Sequence, residues 1–263
     1  MPVPAFPLAW PIVAVHDLQT IAERYARIGF AVGAERRGVA GLVQRTVAFA
    51  GNAIVLVALD PASEVRRRDR VHRIVAEHLT LREGVPLVAL RGTNADLESL
   101  RERDVAVVRR LLPDAANPGL SFTITDSMEE PAAVHPNSAV RVLRVTYAAA
   151  APQRVRPRFR AIFRHTATHP HGFDIRTAAG TLRVLSNDAV ALHFLTAGLA
   201  DGWTASPGVV AITLMTEFPH QLASRLHREQ VPLSVYPRRI RIDAEFAGGV
   251  VLEFVYPAVL PNF

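Results

Sequence analysis

The sequence predicts an α+β fold built from four βαβββ modules, and three observations predict it. The stretch VAVHDLQTIAERYARIGFAV, residues 13–32, opens as a strand, becomes an amphipathic helix and enters a second strand. A similar shape returns near the C-terminus as VVAITLMTEFPHQLASRLHREQVPL, and the strand–helix–strand–strand–strand order occurs four times at about the same length. Strands outnumber helices and come three in a row, which excludes a parallel doubly wound sheet. The order fits a strongly curved mixed sheet with helices on its outer face.

The first module reads as a strand (PIVAV), a helix over Asp17–Ile28, a strand from Gly29, then RTVAFA and NAIVLVALD. Asp17 and Thr20 are N-cap candidates, and Gly29 stands where a C′ glycine ends a helix. Ile21, Tyr25 and Ile28 fall at i, i+4 and i+7 and form one apolar face. The second module starts at GVPLVALRG, continues through the helical NADLESLRER, and returns with DVAVV and SFTIT. The third has VRVLRVTYA, a helix around Pro157–Phe163, then TLRVLS and AVALHFL as strands. The fourth has GVVAITLM, the helix HQLASRLHRE, then VPLSVYP, RRIRIDAEF and GGVVLEFVYP.

The 263 residues can form one large domain or two ordinary ones. No apolar run approaches a membrane span, and the N-terminus lacks a basic region ahead of its apolar stretch, so a soluble cytoplasmic protein is expected. The absence of cysteine excludes disulfides, thiolate ligands and a cysteine nucleophile. The net charge of +6 comes entirely from arginine, which points to a GC-rich coding sequence before it points to nucleic acid. Arg66, Arg67 and Arg68 sit in SEVRRRDRVHRIVAEHL, where Val65, Val71, Ile74, Val75 and Leu79 supply an apolar stripe and the charges a solvated face. No P-loop, GxGxxG or GxSxG occurs.

The helix-then-GF boundary in IVAVHDLQTIAERYARIGF, the HPN tripeptide at His135–Asn137 and the terminal GGVVLEF resemble the vicinal-oxygen-chelate superfamily. Within it, the chain looks like the glyoxalase-like domain family over about residues 8–257. The resemblance implies that modules pair into two cupped sheets, giving domains at 1–130 and 138–263 with a linker near SMEEPAAVHPNSA. It also implies a small organic molecule, anionic in some readings, as the partner, and it suits homodimers formed through exposed sheet edges. No nucleic acid or membrane is implied. A divalent metal is the one cofactor it leaves open.

Metal-dependent members take ligands from the first and last strands of each module. Aligning AIVLV, ALHFL and VLEFV without gaps puts Val55, His193 and Glu253 in one column, while Trp10, Arg144 and Ala211 stand where a first-strand His would be. The N-terminal pair of modules therefore lacks ligands, and the C-terminal pair keeps only His193 and Glu253. Three readings of these two stay open: Glu253 plugged by an arginine such as Arg144, a metal-free acid–base pair, or a metal completed by His135 or by the HTATHPHGFD segment. Arg144 is expected to hold a substrate carboxylate or phenolate, with Trp10 and His135 as further substrate contacts. His165, His169, His171 and Asp174 are read as a surface loop, or as a flap over the cup. His16, His72, His78, His220 and His227 are expected to face solvent.

Overall fold

The computed structural model describes residues 6–38, 40–63, 69–114, 117–126, 131–194 and 207–256. The first half runs β1 (Leu8–Ala14), α1 (Leu18–Ile28), β2 (Arg36–Arg37), β3 (Leu42–Ala48), β4 (Ala53–Leu59), α2 (Arg70–Leu79), β5 (Gly84–Arg91), α3 (Asn94–Arg101), β6 (Leu111–Leu112) and β7 (Ser121–Thr125). The second half contains β8 (Ala139–Ala149), α4 (Pro152–Phe163), β9 (Ala167–His169), β10 (Gly172–Thr177), β11 (Gly180–Ser186) and α5 (Asn187–Phe194). It continues with β12 (Gly208–Thr216), α6 (Pro219–Arg228), β13 (Leu233–Tyr236), β14 (Arg239–Ile242) and β15 (Val251–Val255). No helix among the described residues is long and apolar enough to cross a membrane.

The strands form two mixed sheets, ordered β2-β3-β4-β1-β5-β7-β6 and β13-β14-β15-β12-β8-β11-β10-β9. In each sheet the first strands of two modules pair antiparallel at the centre, β1 with β5 and β8 with β12. The helices start and stop where local chemistry demands. Asp17 caps α1 by accepting from the Gln19 and Thr20 amides, and Gly29 closes it at φ 98°. A reciprocal Thr93–Asp96 capping box opens α3.

Apolar residues of α1, α3, α4 and α6 join both sheets in one continuous core, with Tyr25, Tyr147, Phe122, Phe159 and Phe254 fully buried. Polar contacts cross the same boundary. Asn52 accepts from the Val142 amide at 3.0 Å and donates to its carbonyl at 2.8 Å. Arg158 donates to the Leu120 and Leu112 carbonyls. A Cβ on Gly249, at φ +79°, would lie 2.2 Å from the Glu83 carbonyl oxygen, so this crossing tolerates only glycine. On the opposite face of each sheet sits a smaller apolar cluster closed by a helix, α2 on the first sheet and α5 on the second.

Three elements differ from the sequence reading. DVAVV is irregular, and the second module's return strand is the two-residue β6. The HTATHPHGFD segment is not a loop: it supplies β9 and the start of β10, paired through Gly172 and His169. Of AVALHFL, residues 189–194 lie in α5 and not in a strand, because β11 already completes the third module beside β8; Leu195 lies outside the described residues. His193 therefore leaves the strand column of Val55 and Glu253. His78 also differs from its expected solvent-facing place. Its Nε2 is buried without a hydrogen-bond partner, and burial together with the Arg82 charge lowers its pKa to about 4. Residues 64–68, with Arg66–Arg68, lie outside the described residues.

Candidate functional site

The two cups have different linings. In the first, Trp10, Ala14, Val55, Val57 and Ala89 face Val75 and Leu79 of α2, and Trp10 is only 8% exposed. Trp10 is thus walled in by the helix that fills its cup. His135 is 4% exposed and sits with the first half, beside Phe30 and Phe49. Its Nδ1 accepts from the Ala31 amide and its Nε2 donates to the Ala48 carbonyl, each at 3.0 Å. That pairing identifies the neutral Nε2–H tautomer, and burial lowers the pKa in agreement.

The second cup carries charge. Strand pairing puts Arg241, Glu253, Thr213, Arg144 and Thr181 in one row across five strands. Paired residues point to the same face, so the row lies on the face that α5 covers through Ala189, Val190 and Phe194. An adjacent row holds Thr146, Arg183 and Asp174.

Glu253 is buried, and its partners are not the one expected. Arg241 binds its Oε1 at 2.9 Å, Arg239 lies 3.4 Å from the same oxygen, and Thr213 donates to Oε2 at 3.3 Å. The Arg241 guanidinium lies between the rings of Phe194 and Tyr236, 4.7 and 5.0 Å from their centroids, and donates to the His193 carbonyl. It therefore ties Glu253 to the end of α5. Asp174 is likewise taken: Arg183 grips it with two 2.8 Å hydrogen bonds, and His169 Nε2 is 3.7 Å away. Burial works to raise the Asp174 pKa, but the Arg183 hydrogen bond and charge outweigh it and hold the group below its ordinary value.

Arg144 occupies the centre of this belt. Its Nε is buried and has no hydrogen-bond partner, and it makes no ion pair among the described residues. Burial, then the charge of Arg183, lowers its pKa from the ordinary arginine value. Four guanidinia (Arg144, Arg183, Arg239, Arg241) face two carboxylates, leaving a surplus of two positive charges. His193 is exposed on α5 near the belt, where desolvation and the charges of Arg241 and Arg239 lower its pKa.

This donor set does not fit a divalent cation. Glu253 is surrounded by guanidinia instead of further ligands, and no group of three His, Cys, Asp or Glu side chains assembles among the described residues. The structure brings Glu253, Arg144 and His193 to one cup and keeps Trp10 and His135 away from it. Sequence reasoning missed Arg183, Arg239 and Arg241 as members of the site. The alternation in RRIRI was the available signal, since it sends Arg239 and Arg241 to one face.

No protein-family model matches the sequence, and no curated protein does. Solved structures do match. A hypothetical protein from Staphylococcus aureus superposes with a TM-score of 0.64 at 9% identity, covering 96% of this chain and 100% of that one. A mutant of 4-hydroxymandelate synthase from Streptomyces coelicolor gives 0.63 at 11% identity, covering 99% and 95%. A xylose isomerase-like TIM barrel/4-hydroxyphenylpyruvate dioxygenase fusion protein gives 0.60 at 13% identity; the match covers all of this chain but 51% of that one. The chain shares the fold of these structures. At these identities the likeness extends to fold alone.

Proposed function

We propose that the second cup binds a small organic anion without a metal, through the guanidinium of Arg144, and that the chain is an enzyme-derived small-molecule protein. The observation that carries this reading is the buried, unpartnered Nε of Arg144 beside two carboxylates that other arginines already hold. A buried charge lacking a partner is costly, and a ligand carboxylate or phenolate supplies a planar acceptor suited to a guanidinium. Thermal unfolding with a panel of aliphatic and aromatic carboxylates tests it. A ligand at 100 times its Kd adds about 2.7 kcal/mol, or roughly 5–10 °C in Tm. Arg144→Gln should remove that rise and a chelator should leave it intact. A rise that persists in Arg144→Gln, or none across the panel, defeats the proposal.

A second reading adds catalysis, with His193 as general base. Its lowered pKa keeps the imidazole neutral at pH 7, and it stands on the helix that covers the cup. Under this reading His193→Ala abolishes turnover of a bound ligand while Kd stays within about twofold; an unchanged rate leaves binding alone.

A further inference from the structure

A second feature lies beside the cup, where the two halves meet at an uneven sheet edge. The pairing of β8 with β11 begins only at Arg144 and Thr181, so residues 139–143 of β8 run beyond their neighbour. The turn between β3 and β4 fills part of that gap, and Asn52 pairs with both backbone groups of Val142 as a strand would. A cleft of about 350 Å³ remains between this turn and the β10–β11 hairpin. That size falls within the usual range of small-molecule sites, about 300–1,000 Å³.

Arg141 and Arg176 line the cleft, and no carboxylate does. Both side chains are exposed, and neither makes an ion pair or hydrogen bond among the described residues. Thr181 adds a hydroxyl, whereas the Thr177 hydroxyl is already donated to the Gly180 carbonyl; a Cβ at Gly51 would meet nothing within 4 Å, so that wall is open. Two arginines lining one concavity without an acid offer N–H donors to an oxyanion that accepts several of them. Concave walls of one charge sign also raise the local concentration of a counter-ion.

We propose that this cleft, which continues the row of the cup outward through Thr181 and Arg176, binds a phosphate group through Arg141 and Arg176 without using Arg144. Free phosphate and the phosphate of a small monoester share this chemistry, and their relative affinities identify the source. The full-length chain is titrated by calorimetry with sodium phosphate and, separately, with glycerol 3-phosphate, at constant ionic strength so that screening does not change. Saturable binding is expected, weakened about tenfold or more in Arg141→Gln/Arg176→Gln and unchanged in Arg144→Gln. Both substituted side chains are exposed, so the double variant should keep the wild-type Tm and its result reports on binding. Tighter binding of glycerol 3-phosphate assigns the site to a phosphorylated metabolite, and equal binding assigns it to phosphate itself. Absence of saturable binding for both compounds overturns the proposal, as does binding that survives in the double variant. Loss confined to Arg144→Gln moves the anion to the cup; it would overturn this site and leave the reading of the cup standing.

Discussion

The first cup and the second cup start from the same frame and diverge in what their floors demand. Each sheet centres on an antiparallel pair of first strands, and each is covered by one additional helix. The first floor is apolar, and Val75 and Leu79 of α2 seal it against Trp10 and Val55. The second floor is a guanidinium belt under an eight-residue helix, held partly by Arg241 at the His193 carbonyl. Apolar surface is satisfied by any close packing, whereas each buried charge requires a partner of the right kind and place. Arg241 and Arg183 have such partners and Arg144 lacks one, which is why the second cup is the place to look for a ligand.

The severest test of the comparison is to separate the halves. Both sheets contribute to one core, so residues 1–130 or 138–263 alone would expose its apolar face. Neither fragment should give cooperative unfolding by circular dichroism, while the whole chain should. A fragment that unfolds cooperatively would mean that each cup can be understood by itself.

The next effect contrasts matched positions on the two floors. Glu253→Leu leaves the Arg241 charge buried and unpaired, with an expected cost of roughly 3–5 kcal/mol. Adding Arg241→Met should recover most of it. Val55→Ala in the first cup should cost about 2 kcal/mol, from the lost methyl groups and a small cavity. Denaturant midpoints of the four proteins check this. Equal losses for Glu253→Leu and Val55→Ala would erase the distinction between charge and packing.

The last effect depends on pH and lies in the first half. His78 on α2 has a folded pKa of about 4, so the unfolded chain binds the proton more readily. Its contribution to stability is complete above pH ~6.5, the ordinary histidine pKa, and is lost as pH falls toward 4. The loss over that window is at most about 3 kcal/mol. His78→Gln should flatten the pH profile; an unchanged slope would show that other groups set it.

Local chemistry made much of the fold legible. Asp17, Gly29 and the Ile21–Tyr25–Ile28 stripe delimit α1 within the chain itself, and Thr93 with Asp96 does the same for α3. AVALHFL was misread because a short apolar run has no period that separates strand from buried helix. Pro170 and Gly172 suggest a loop, yet they sit at the tight connection of the β9–β10 pair. The site was legible in part. Glu253 and Arg144 belong to the cup, but their pairing depends on which strands become neighbours. Arg241 stands 12 residues from Glu253 in sequence and reaches it only because β14 and β15 pair with that register.

The sequence by itself determined the α+β class, the repeated module and the start and end of its best helices, because caps and periodicity act over a few residues. Only the tertiary structure decided which cup is apolar and which is charged beneath its covering helix. It also decided that Arg241 and not Arg144 neutralises Glu253. Those outcomes depend on register between distant strands and on burial, which shifts the cost of a charge far more than its neighbours in the chain can.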